Sequence, residues 1–575
     1  MYTAPQLIDL LEKQHQQRGI SDLFKKDTFT LQWRSKVGSF PHPDVETMVS
    51  AGEPCDVWYV DGRPEDKRQL DENLEQISEL PLNGYIPGSS IRGIVRAWAM
   101  ERDSIREQMY ELLGNQKGNK ILAGKIEFLD AWPQNATRLT LDIVNPQQSF
   151  QVYHQGQGTP LSVYTLGDGE DTIPVTVAIR GIPGKATAQD VNTVWEWIQQ
   201  ALSSNGVGSR PSAGYGQIKA PSGFKASPEL LQHQKENGFT TKTFDFKLYS
   251  QGCSGIDREE QELRPSHWRG WLRSWVLRFL LGVMSIENAE ETLSELMGVI
   301  EPNTRKGCVK IRMITGKKTW GKISANQPYF YVWEGKLQVT APKEILNKII
   351  LPIIKFAVSC GGVGRGSRRP LHIFQMNNGR DAARGSHLII KHKIPNKEKK
   401  LIVKFFNLPV KPDVWTSTYD RWLNEVRSRW ADRVNINANH LLAAEVFSPQ
   451  TCAVYVVPGP EANPIDEGER EWLETNGRET RGEGMHLIYQ QVAPQNYKRN
   501  PDIGGNAANG NSHCSWASIK RINIPSKEIE ADCQEIVCLF MGGKSPESNH
   551  IRSRFLKDLN KIEGAVHLFG VQSGS

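Results

Sequence analysis

The chain has 575 residues, too many for one hydrophobic core, so we expect several domains. Its 38% hydrophobic content and 16 tryptophans exclude a disordered chain, and a net charge of only +6 excludes polyanion binding through overall charge. Residues 1–19 lack the apolar core of a signal peptide, no run is as long as a membrane span, and the eight cysteines form no C-x-x-C pair. We therefore expect a cytoplasmic protein with reduced thiols and no membrane partner.

The first predicted elements are a short helix over residues 6–16 and a strand over residues 29–36, which alternates apolar and polar side chains. A long acidic loop with several prolines follows over residues 40–83. A loop of this length inside a compact domain usually has a functional role. It ends at a bend made by Pro87 and Gly88, after which a helix begins.

This helix, predicted to continue to about residue 113, carries a candidate anion site at its start. Ser89 or Ser90 is the expected N-cap, and Arg92 and Arg96 share one helix face with Ser89. Free backbone N–H groups, a serine and two guanidinium groups together suit a phosphate or a carboxylate.

A glycine-rich loop closes the first part of the chain. The elements predicted before it are strands over 126–131, 139–144 and 173–180, a glycine-rich hairpin or loop over 152–160, and a helix over 190–202. The candidate binding residues of the closing loop are Gly206, Gly208, Ser209 and Arg210. A short strand over 217–219 follows, and we predict a first unit over 1–222 and a linker over 223–243.

The second part of the chain repeats this order, which indicates an internal duplication. Its predicted elements are a strand over 244–250, a shorter loop over 251–262, a helix over 265–282, strands over 309–315 and 329–339, and a helix over 344–358. Its first helix carries Ser266, Arg269 and Arg273 at the spacing of Ser89, Arg92 and Arg96. The candidate residues of its glycine loop are Gly362, Gly364, Arg365, Arg368 and Arg369.

Residues 380–575 give weaker signals. The predicted elements are strands over 401–408, 452–457, 516–524 and 536–541 and helices over 420–430 and 550–561. We place the second unit at 244–575, with an insertion at about 380–512. We expect residues 515–525 to return as the last strand of its sheet.

The arginine helices and glycine loops allow two interpretations. Backbone amides and guanidinium groups could hold the phosphates of an RNA without reading its sequence. The arginines could instead form ion pairs within the fold, and the glycines could be ordinary tight turns. The duplication favours the binding interpretation.

The order of strand, long loop, YIPGSSIRGIVRAW helix and closing glycine loop resembles the RAMP superfamily of CRISPR-associated proteins. The first motif is similar to that of the catalytic backbone subunits of type III effector complexes. The second, LRPSHWRGWLRSW with GGVGRGSRR, is similar to the RAMP subunit that caps the far end of such complexes. These motifs cover residues 29–219 and 244–375.

This resemblance implies an α+β fold of two ferredoxin-like βαββαβ units in tandem, related to the RNA-recognition fold, with insertions and a C-terminal elaboration. It implies that the units bind a guide (CRISPR) RNA beside other effector subunits and take part in recognising a target RNA. A thumb-like hairpin would be inserted between bases.

The resemblance also implies metal-dependent cleavage of the target RNA by an aspartate in the loop before the serine motif. Asp56 is the first candidate and the expected ligand of Mg²⁺ or another divalent cation. Asp44 is the second candidate, and Asp257 lies in the corresponding loop of the second unit. No organic cofactor is expected.

Three functions stay open from the sequence. The first is a subunit that binds guide RNA and cleaves target RNA in its first unit. The second is a non-catalytic RNA-binding and capping scaffold of the same complex. The third is a stand-alone ribonuclease that matures guide transcripts, which would need a histidine-centred acid–base site that the sequence does not suggest.

Overall fold

A computed structural model of the chain describes most of its residues. These are 4–36, 39–41, 48–50, 84–118, 120–135, 137, 139–144, 161–167, 169, 171–208, 211, 214–221, 238–250, 262–299, 305–321, 330–364, 366–375, 381–395, 401–436, 444–460, 480–490, 496–505, 514–523, 533–542 and 550–573. The chain divides into two compact units. Described residues up to 221 belong to the first, and those from 238 onward belong to the second.

The first unit combines a central antiparallel sheet with helices. Its elements are α1 (Ala4–Gln17), β1 (Phe24–Leu31), β2 (Ser39–Pro41), β3 (Met48–Ser50), α2 (Gly88–Met100), α3 (Asp103–Leu113), β4 (Asn115–Lys117), β5 (Lys120–Leu122), β6 (Ile126–Phe128), β7 (Trp132–Pro133), β8 (Leu139–Val144), β9 (Leu161–Leu166), β10 (Ile173–Gly181), α4 (Ala188–Asn205) and β11 (Ile218–Lys219). The central sheet has the order β11-β1-β10-β6, and β7 also pairs with β10.

The core of the first unit lies between this sheet and helices α2 and α4. Ile91, Val95 and Trp98 recur at helical spacing along α2 and are buried in one cluster with Phe29 of β1 and Val175 of β10. The main elements therefore follow as strand, helix, strand, strand, helix, strand. In the sheet, the four strands lie in the order fourth, first, third, second.

The second unit is larger. Its elements are β12 (Phe239–Ser250), α5 (Pro265–Leu281), α6 (Ile286–Met297), β13 (Lys310–Gly321), β14 (Phe330–Pro342), a π-helical segment (Ile345–Ile350), α7 (Leu351–Cys360), β15 (His372–Gln375), β16 (Asp381–Arg384), β17 (Ser386–Pro395), β18 (Leu401–Phe405), α8 (Pro412–Arg429), β19 (Cys452–Pro458), α9 (Glu483–Tyr489), α10 (Pro501–Gly504), β20 (Ala517–Asn523), β21 (Cys533–Phe540), α11 (Ile551–Asn560) and β22 (Val566–Gly570).

The first sheet of the second unit has the order β13-β14-β12-β17-β18. Phe244, Phe246 and Leu248 of β12 are buried in one cluster with Trp268 and Leu272 of α5. If β12, β13, β14 and β17 are counted in chain order as the first to fourth strands, they lie in the order fourth, first, third, second, as in the first unit. Strand β18 pairs with β17 and extends that edge of the sheet. Mixed helix and sheet are therefore present in both units, as the α+β prediction requires.

A second sheet, β20-β21-β19-β22, forms the C-terminal part of this unit. Its strands share a buried core with α9 and α11. Two buried basic side chains tie it to neighbouring segments: Nη1 of Arg521 donates to the Leu371 carbonyl at 2.9 Å, and Nζ of Lys520 donates to the Leu388 carbonyl. The sheet is thus fastened to the region around β15 and β17.

The prediction for the last strand of the second unit was wrong. Residues 515–525 were expected there, but β20 pairs with β21 in the C-terminal sheet. The place beside β12 is taken by β17, which lies inside the predicted insertion 380–512. Leu388 and Ile390 of β17 alternate into the buried core of this sheet, whereas Ala517 and Ile519 of β20 are buried in the core of the C-terminal sheet.

Other boundaries also differ from the prediction. The helix that was predicted to continue to about residue 113 is two helices, α2 ending at Met100 and α3 beginning at Asp103. The first strand ends at Leu31 instead of continuing through residue 36, because the chain leaves β10 there and Ser35 forms an isolated bridge to Leu166 of β9. Residues 239–243 of the predicted linker form the start of β12, paired with β14. In the part of the chain that the structure describes, no helix is long and apolar enough to span a membrane.

Candidate nucleic-acid interface

Helix α2 is capped at its N-terminus by a residue that sequence analysis missed. Pro87 occupies the N-cap position and makes no side-chain cap, so the prediction of a serine cap at Ser89 or Ser90 was wrong. The Gly88 N–H instead donates to Oδ1 of Asp130 at 2.8 Å. Since Asp130 is 42 residues away in sequence, no local pattern could have revealed it.

The two serines lie in the first turn of α2. Ser89 is exposed and Ser90 is half-buried. At Gly88 an added Cβ would lie 2.3 Å from the Phe128 carbonyl oxygen, so the start of the helix approaches the strand β6 too closely for any side chain. The Asp130 carboxylate therefore already accepts from one of the backbone N–H groups that a bound phosphate would use.

The arginines of α2 hold the end of the next helix. Arg92 donates to the Leu113 carbonyl, and Nη1 of Arg96 donates to the Gly114 carbonyl at 2.5 Å. Leu113 is the last residue of α3, and Gly114 follows it with a positive φ of 85°. Carbonyls at a helix C-terminus lack intrahelical donors and attract cations.

The second unit has the same arrangement. Arg269 of α5 donates to the Met297 carbonyl, and Nη1 of Arg273 donates to the Gly298 carbonyl at 2.8 Å. Met297 is the last residue of α6, and Gly298 follows with a φ of 79°. We call this arrangement the arginine clamp: Arg92 and Arg96 in the first unit, and Arg269 and Arg273 in the second.

The clamps differ in their contact with solvent. Arg92 is exposed and Arg96 is half-buried, whereas Arg269 is buried. Burial and the neighbouring Arg273 lower the pKa of Arg269 to about 10, so Arg269 remains a cation at neutral pH, and burial also lowers the pKa of Arg273. Ser266 is half-buried in the first turn of α5. RNA binding by these motif residues stays a prediction.

Glycines after each clamp share a second feature. A Cβ at Gly124 would lie 2.8 Å from the Leu113 carbonyl carbon, and a Cβ at Gly307 would lie 2.4 Å from that of Met297. In both units the chain therefore returns against the end of the clamped helix at a glycine. Gly114 and Gly124 of the first unit correspond to Gly298 and Gly307 of the second unit. This repeat is visible in the sequence, but the sequence analysis missed it.

The glycine loop of the first unit closes onto β1. Gly206 and Gly208 have φ values of 77° and 73°, and a Cβ at Gly206 would lie 2.7 Å from the Gly216 carbonyl oxygen. The Gly216 N–H donates to the Arg34 carbonyl at 2.7 Å. Ser209 and Arg210 lie outside the described residues. The loop geometry thus requires glycine at two of the predicted positions.

The glycine loop of the second unit is tied to the rest of the fold by its arginines. Nη2 of Arg368 donates to both carboxylate oxygens of Glu445, at 2.5 and 2.6 Å, and Nε of Arg278 donates to the same carboxylate at 2.7 Å. Burial alone would raise the pKa of Glu445, but the two guanidinium groups lower it to about 2. Glu445 is the buried acid that holds this loop.

Arg369 also serves the fold. It donates to the Ala517 carbonyl at 2.5 Å and to Oγ of Ser515 at 2.8 Å, and burial lowers its pKa to about 10. Gly362 is packed against Ser386, where a Cβ would lie 2.3 Å from Oγ, and Gly364 has a φ of 79°. Arg365 lies outside the described residues.

The three aspartates predicted to cleave RNA, Asp44, Asp56 and Asp257, all lie outside the described residues. Asp56 was also the predicted metal ligand. Within the described ranges, no group of three or more histidine, cysteine, aspartate or glutamate side chains could hold a metal ion.

A hairpin projects between the second and third sheet strands of the first unit. Strands β8 and β9 pair antiparallel from Leu139 with Leu166 to Val144 with Leu161. In the second unit, β13 and β14 are themselves the second and third sheet strands, and they pair over most of their length with an irregularity between Thr315 and Lys318.

In comparisons with known protein families, one segment of the chain matches a family model. Residues 81–219 match the family model described as the RAMP superfamily. This segment contains the clamp of the first unit, the β8–β9 hairpin and the closing glycine loop. No curated protein matches the sequence.

Solved CRISPR structures share low similarity with the chain. A type III-B Cmr-beta complex bound to cognate target RNA has 17% identity and a TM-score of 0.25, covering 38% of this chain and 64% of that one. Cmr6 from Pyrococcus furiosus has 18% identity and a TM-score of 0.19, covering 34% and 97%. A type IV-B CRISPR complex has 13% identity and a TM-score of 0.21, covering 35% and 92%. This chain therefore spans less than two thirds of the first of these chains.

The predicted resemblance rests on the motif helix and the glycine loop, and the matched segment contains both. Over residues 81–219, the first unit of this chain matches the RAMP superfamily model.

Proposed function

We propose that this protein is a guide-RNA-binding backbone subunit of a type III CRISPR effector complex. The observation that carries the proposal is the RAMP segment at residues 81–219, which contains the clamp and the glycine loop of the first unit. The recurrence of the clamp in the second unit, with arginines on matching carbonyls, supports a second unit of the same kind. Both would be ferredoxin-like units, and the common strand order supports this.

The RNA would be held through its phosphates, with little reading of base sequence. In the first unit, Ser89 and Arg92 are exposed beside the start of α2, and the amides of the glycine loop add further donors. The β8–β9 hairpin would be the thumb that separates bases. Guide RNA, target RNA and neighbouring effector subunits are the proposed partners.

Sequencing of co-purified RNA tests the binding proposal. The full chain is purified with its complex from the cells that produce it, and the bound RNA is extracted. We expect enrichment of short RNAs that share a common repeat-derived sequence. Bound RNA that mirrors the total cellular RNA would contradict the proposal.

Cleavage of the target RNA is a second proposal, and it rests on the family resemblance of the loop before α2. Asp56 would act with a divalent cation, and Asp44 and Asp257 are the alternatives. The assembled, guide-loaded complex is given target RNA with and without magnesium, as wild type and as Asp56→Ala. Loss of one product with unchanged target binding supports a nuclease. If Asp44→Ala and Asp257→Ala also leave every product unchanged, the subunit is a binding and capping scaffold.

A further inference from the structure

The edge strand β18 carries exposed apolar side chains on one face. Leu401, Val403 and Phe405 are 67%, 56% and 51% exposed, and they alternate along the strand. Alternate residues of a strand share one face of its sheet, so the three side chains form one apolar strip, which we call the β18 strip. Single apolar residues are ordinary on a protein surface, but several large ones side by side are typical of a contact site.

The backbone of β18 is open on the side away from β17. Strand β18 pairs with β17, and no other described strand lies beside it. The Phe406 N–H donates to the Ile390 carbonyl at 2.8 Å, so residue 406 directs its backbone groups toward β17. Since successive residues of an antiparallel strand direct their N–H and C=O groups to opposite sides, those of Leu401, Val403 and Phe405 are directed away from β17. The residues of the β18 strip therefore also present the donors and acceptors of the sheet edge.

The charge around this edge is positive on both faces of the sheet. Lys391 and Lys393 of β17 lie on the face of the β18 strip, because they pair with strip residues. Nζ of Lys391 is 5.1 Å from the centre of the Phe405 ring. Lys404 is exposed on the other face. Strands β17 and β18 contain no aspartate or glutamate, and the acid in register with Lys391 is Asp245 of β12. The edge would therefore repel a basic partner and attract an acidic one.

These features decide between the occupants that an open edge can take. A second copy of β18, paired antiparallel, would bring two Lys404 side chains onto one face, and like charges on neighbouring strands destabilise a sheet. Single-stranded RNA stacks its bases on aromatic rings, whereas two of the three strip residues are aliphatic. An extended protein segment pairs with the free backbone groups and covers the apolar strip at the same time. The observations therefore favour an acidic protein segment.

We propose that β18 is a docking edge for an extended, acidic segment of another protein, which adds one strand to the sheet. The segment would alternate, with apolar side chains on the face of the β18 strip and acidic side chains on the face of Lys404. Backbone hydrogen bonds to Val403 and Phe405 would hold it, and its alternate side chains would give specificity. The docking edge contains no clamp or glycine-loop residue. The inference goes beyond the proposed function, because it involves no RNA.

Two peptide probes test the charge preference of the edge. One is a short fluorescein-labelled peptide of alternating glutamate and valine, and the other has lysine in place of each glutamate. Their affinities for the full chain are measured by fluorescence anisotropy at low salt. We expect the glutamate peptide to bind at least about tenfold more tightly than the lysine peptide. Equal affinities, or a glutamate peptide that does not bind, would overturn the inference.

Two variants of β18 test the backbone edge and the strip. Val403→Pro removes an N–H that is directed away from β17, and proline is tolerated on an edge strand at such a position. Phe405→Ser removes an aromatic side chain that is half exposed, and it keeps the test informative if the proline disturbs β18. The matched control is Phe239→Ser, because Phe239 is 42% exposed on β12 of the same sheet.

We expect both β18 variants to bind the glutamate peptide about tenfold more weakly than wild type, because each loses one of the contacts that hold the added strand. The Phe239→Ser control should stay within about twofold of wild type. Wild-type affinity in both β18 variants would overturn the inference and leave the proposed function intact.

Two further measurements separate the other occupants. Analytical ultracentrifugation of the full chain reports a second copy, and a dimer that is lost in Val403→Pro would overturn the inference. Anisotropy with an unstructured RNA reports RNA, and an RNA affinity that falls in Phe405→Ser while the glutamate peptide does not bind would also overturn it. Weaker peptide binding in both variants, with unchanged RNA affinity and unchanged mass, supports a docking edge for protein.

Discussion

Each clamp arginine donates to a backbone carbonyl at the end of the following helix, and the four contacts form two matching pairs. A guanidinium group has five N–H donors, so a clamp contact leaves donors for a phosphate where the side chain reaches solvent. Arg92 is exposed, whereas Arg269 is buried. At the residue scale, the first unit is therefore better placed to use its clamp for RNA.

Replacement of Arg96 separates the structural role of the clamp from RNA binding. Arg96→Gln loses the bond to Gly114 and a cation at the C-terminus of α3, which should lower the free energy of unfolding by about 1 kcal/mol. Arg180→Gln is the control, because Arg180 lies on β10, where its Nε is paired with Glu127 at 2.6 Å. Chemical denaturation gives the stability, and RNA anisotropy gives the affinity. Unchanged RNA affinity in Arg96→Gln would rule out a phosphate contact at this side chain.

The buried Glu445 carboxylate predicts a pH dependence. Its folded pKa of about 2 lies below the ordinary value of 4.5, so its contribution is present above pH 4.5 and is lost as the pH falls toward 2. Glu445→Gln should lower the free energy of unfolding at neutral pH by about 3 kcal/mol and flatten its fall between these pH values. Urea denaturation from pH 7 to pH 2.5 measures both effects.

The control for this experiment is Glu563→Gln, at an exposed position of the same unit. It should retain the wild-type stability and the wild-type pH dependence. If Glu445→Gln behaves like this control, the carboxylate does not hold Arg278 and Arg368 as the structure indicates.

At the scale of elements, strong amphipathic patterns were predictable and distant partners were not. Helices α4 and α5 lie within a few residues of their predicted positions, because buried apolar side chains recur along them at helical spacing. Helix α2 begins where it was predicted but ends at Met100 instead of about residue 113. Strand β17 was wrongly assigned to an insertion. Its short alternation of apolar side chains does not show which strand it pairs with, and in the structure it pairs with β12. The partners of the motif arginines could not be predicted either, because they are backbone carbonyls, which every residue has.

Two glycines of α2 make a matched pair for testing the helix start. Gly88→Ala should lower the free energy of unfolding by about 1–3 kcal/mol, because the new Cβ would lie 2.3 Å from the Phe128 carbonyl oxygen. Gly93→Ala should raise it by up to about 1 kcal/mol, because nothing lies within 4 Å of its Cβ and alanine favours a helix interior. Thermal and urea denaturation measure both variants. Equal effects of the two substitutions would contradict the close approach of α2 to β6.

At the scale of the whole molecule, the two units share the order of sheet strands and the arginine clamp, and the segment that matches the RAMP superfamily model lies in the first unit. The second unit adds a C-terminal sheet fastened by Lys520 and Arg521. The proposed guide-RNA subunit would use both units along one RNA, with the clamps and glycine loops in equivalent places.

Photo-crosslinking tests most directly whether both units bind RNA. The intact chain is bound to an RNA that contains 4-thiouridine, irradiated and digested, and the crosslinked peptides are identified by mass spectrometry. We expect crosslinks in the first unit within residues 84–118 or 205–221 and in the second unit within residues 361–375. Crosslinks confined to one unit would contradict a tandem RNA-binding subunit, and the absence of crosslinks from both would contradict RNA binding by this chain.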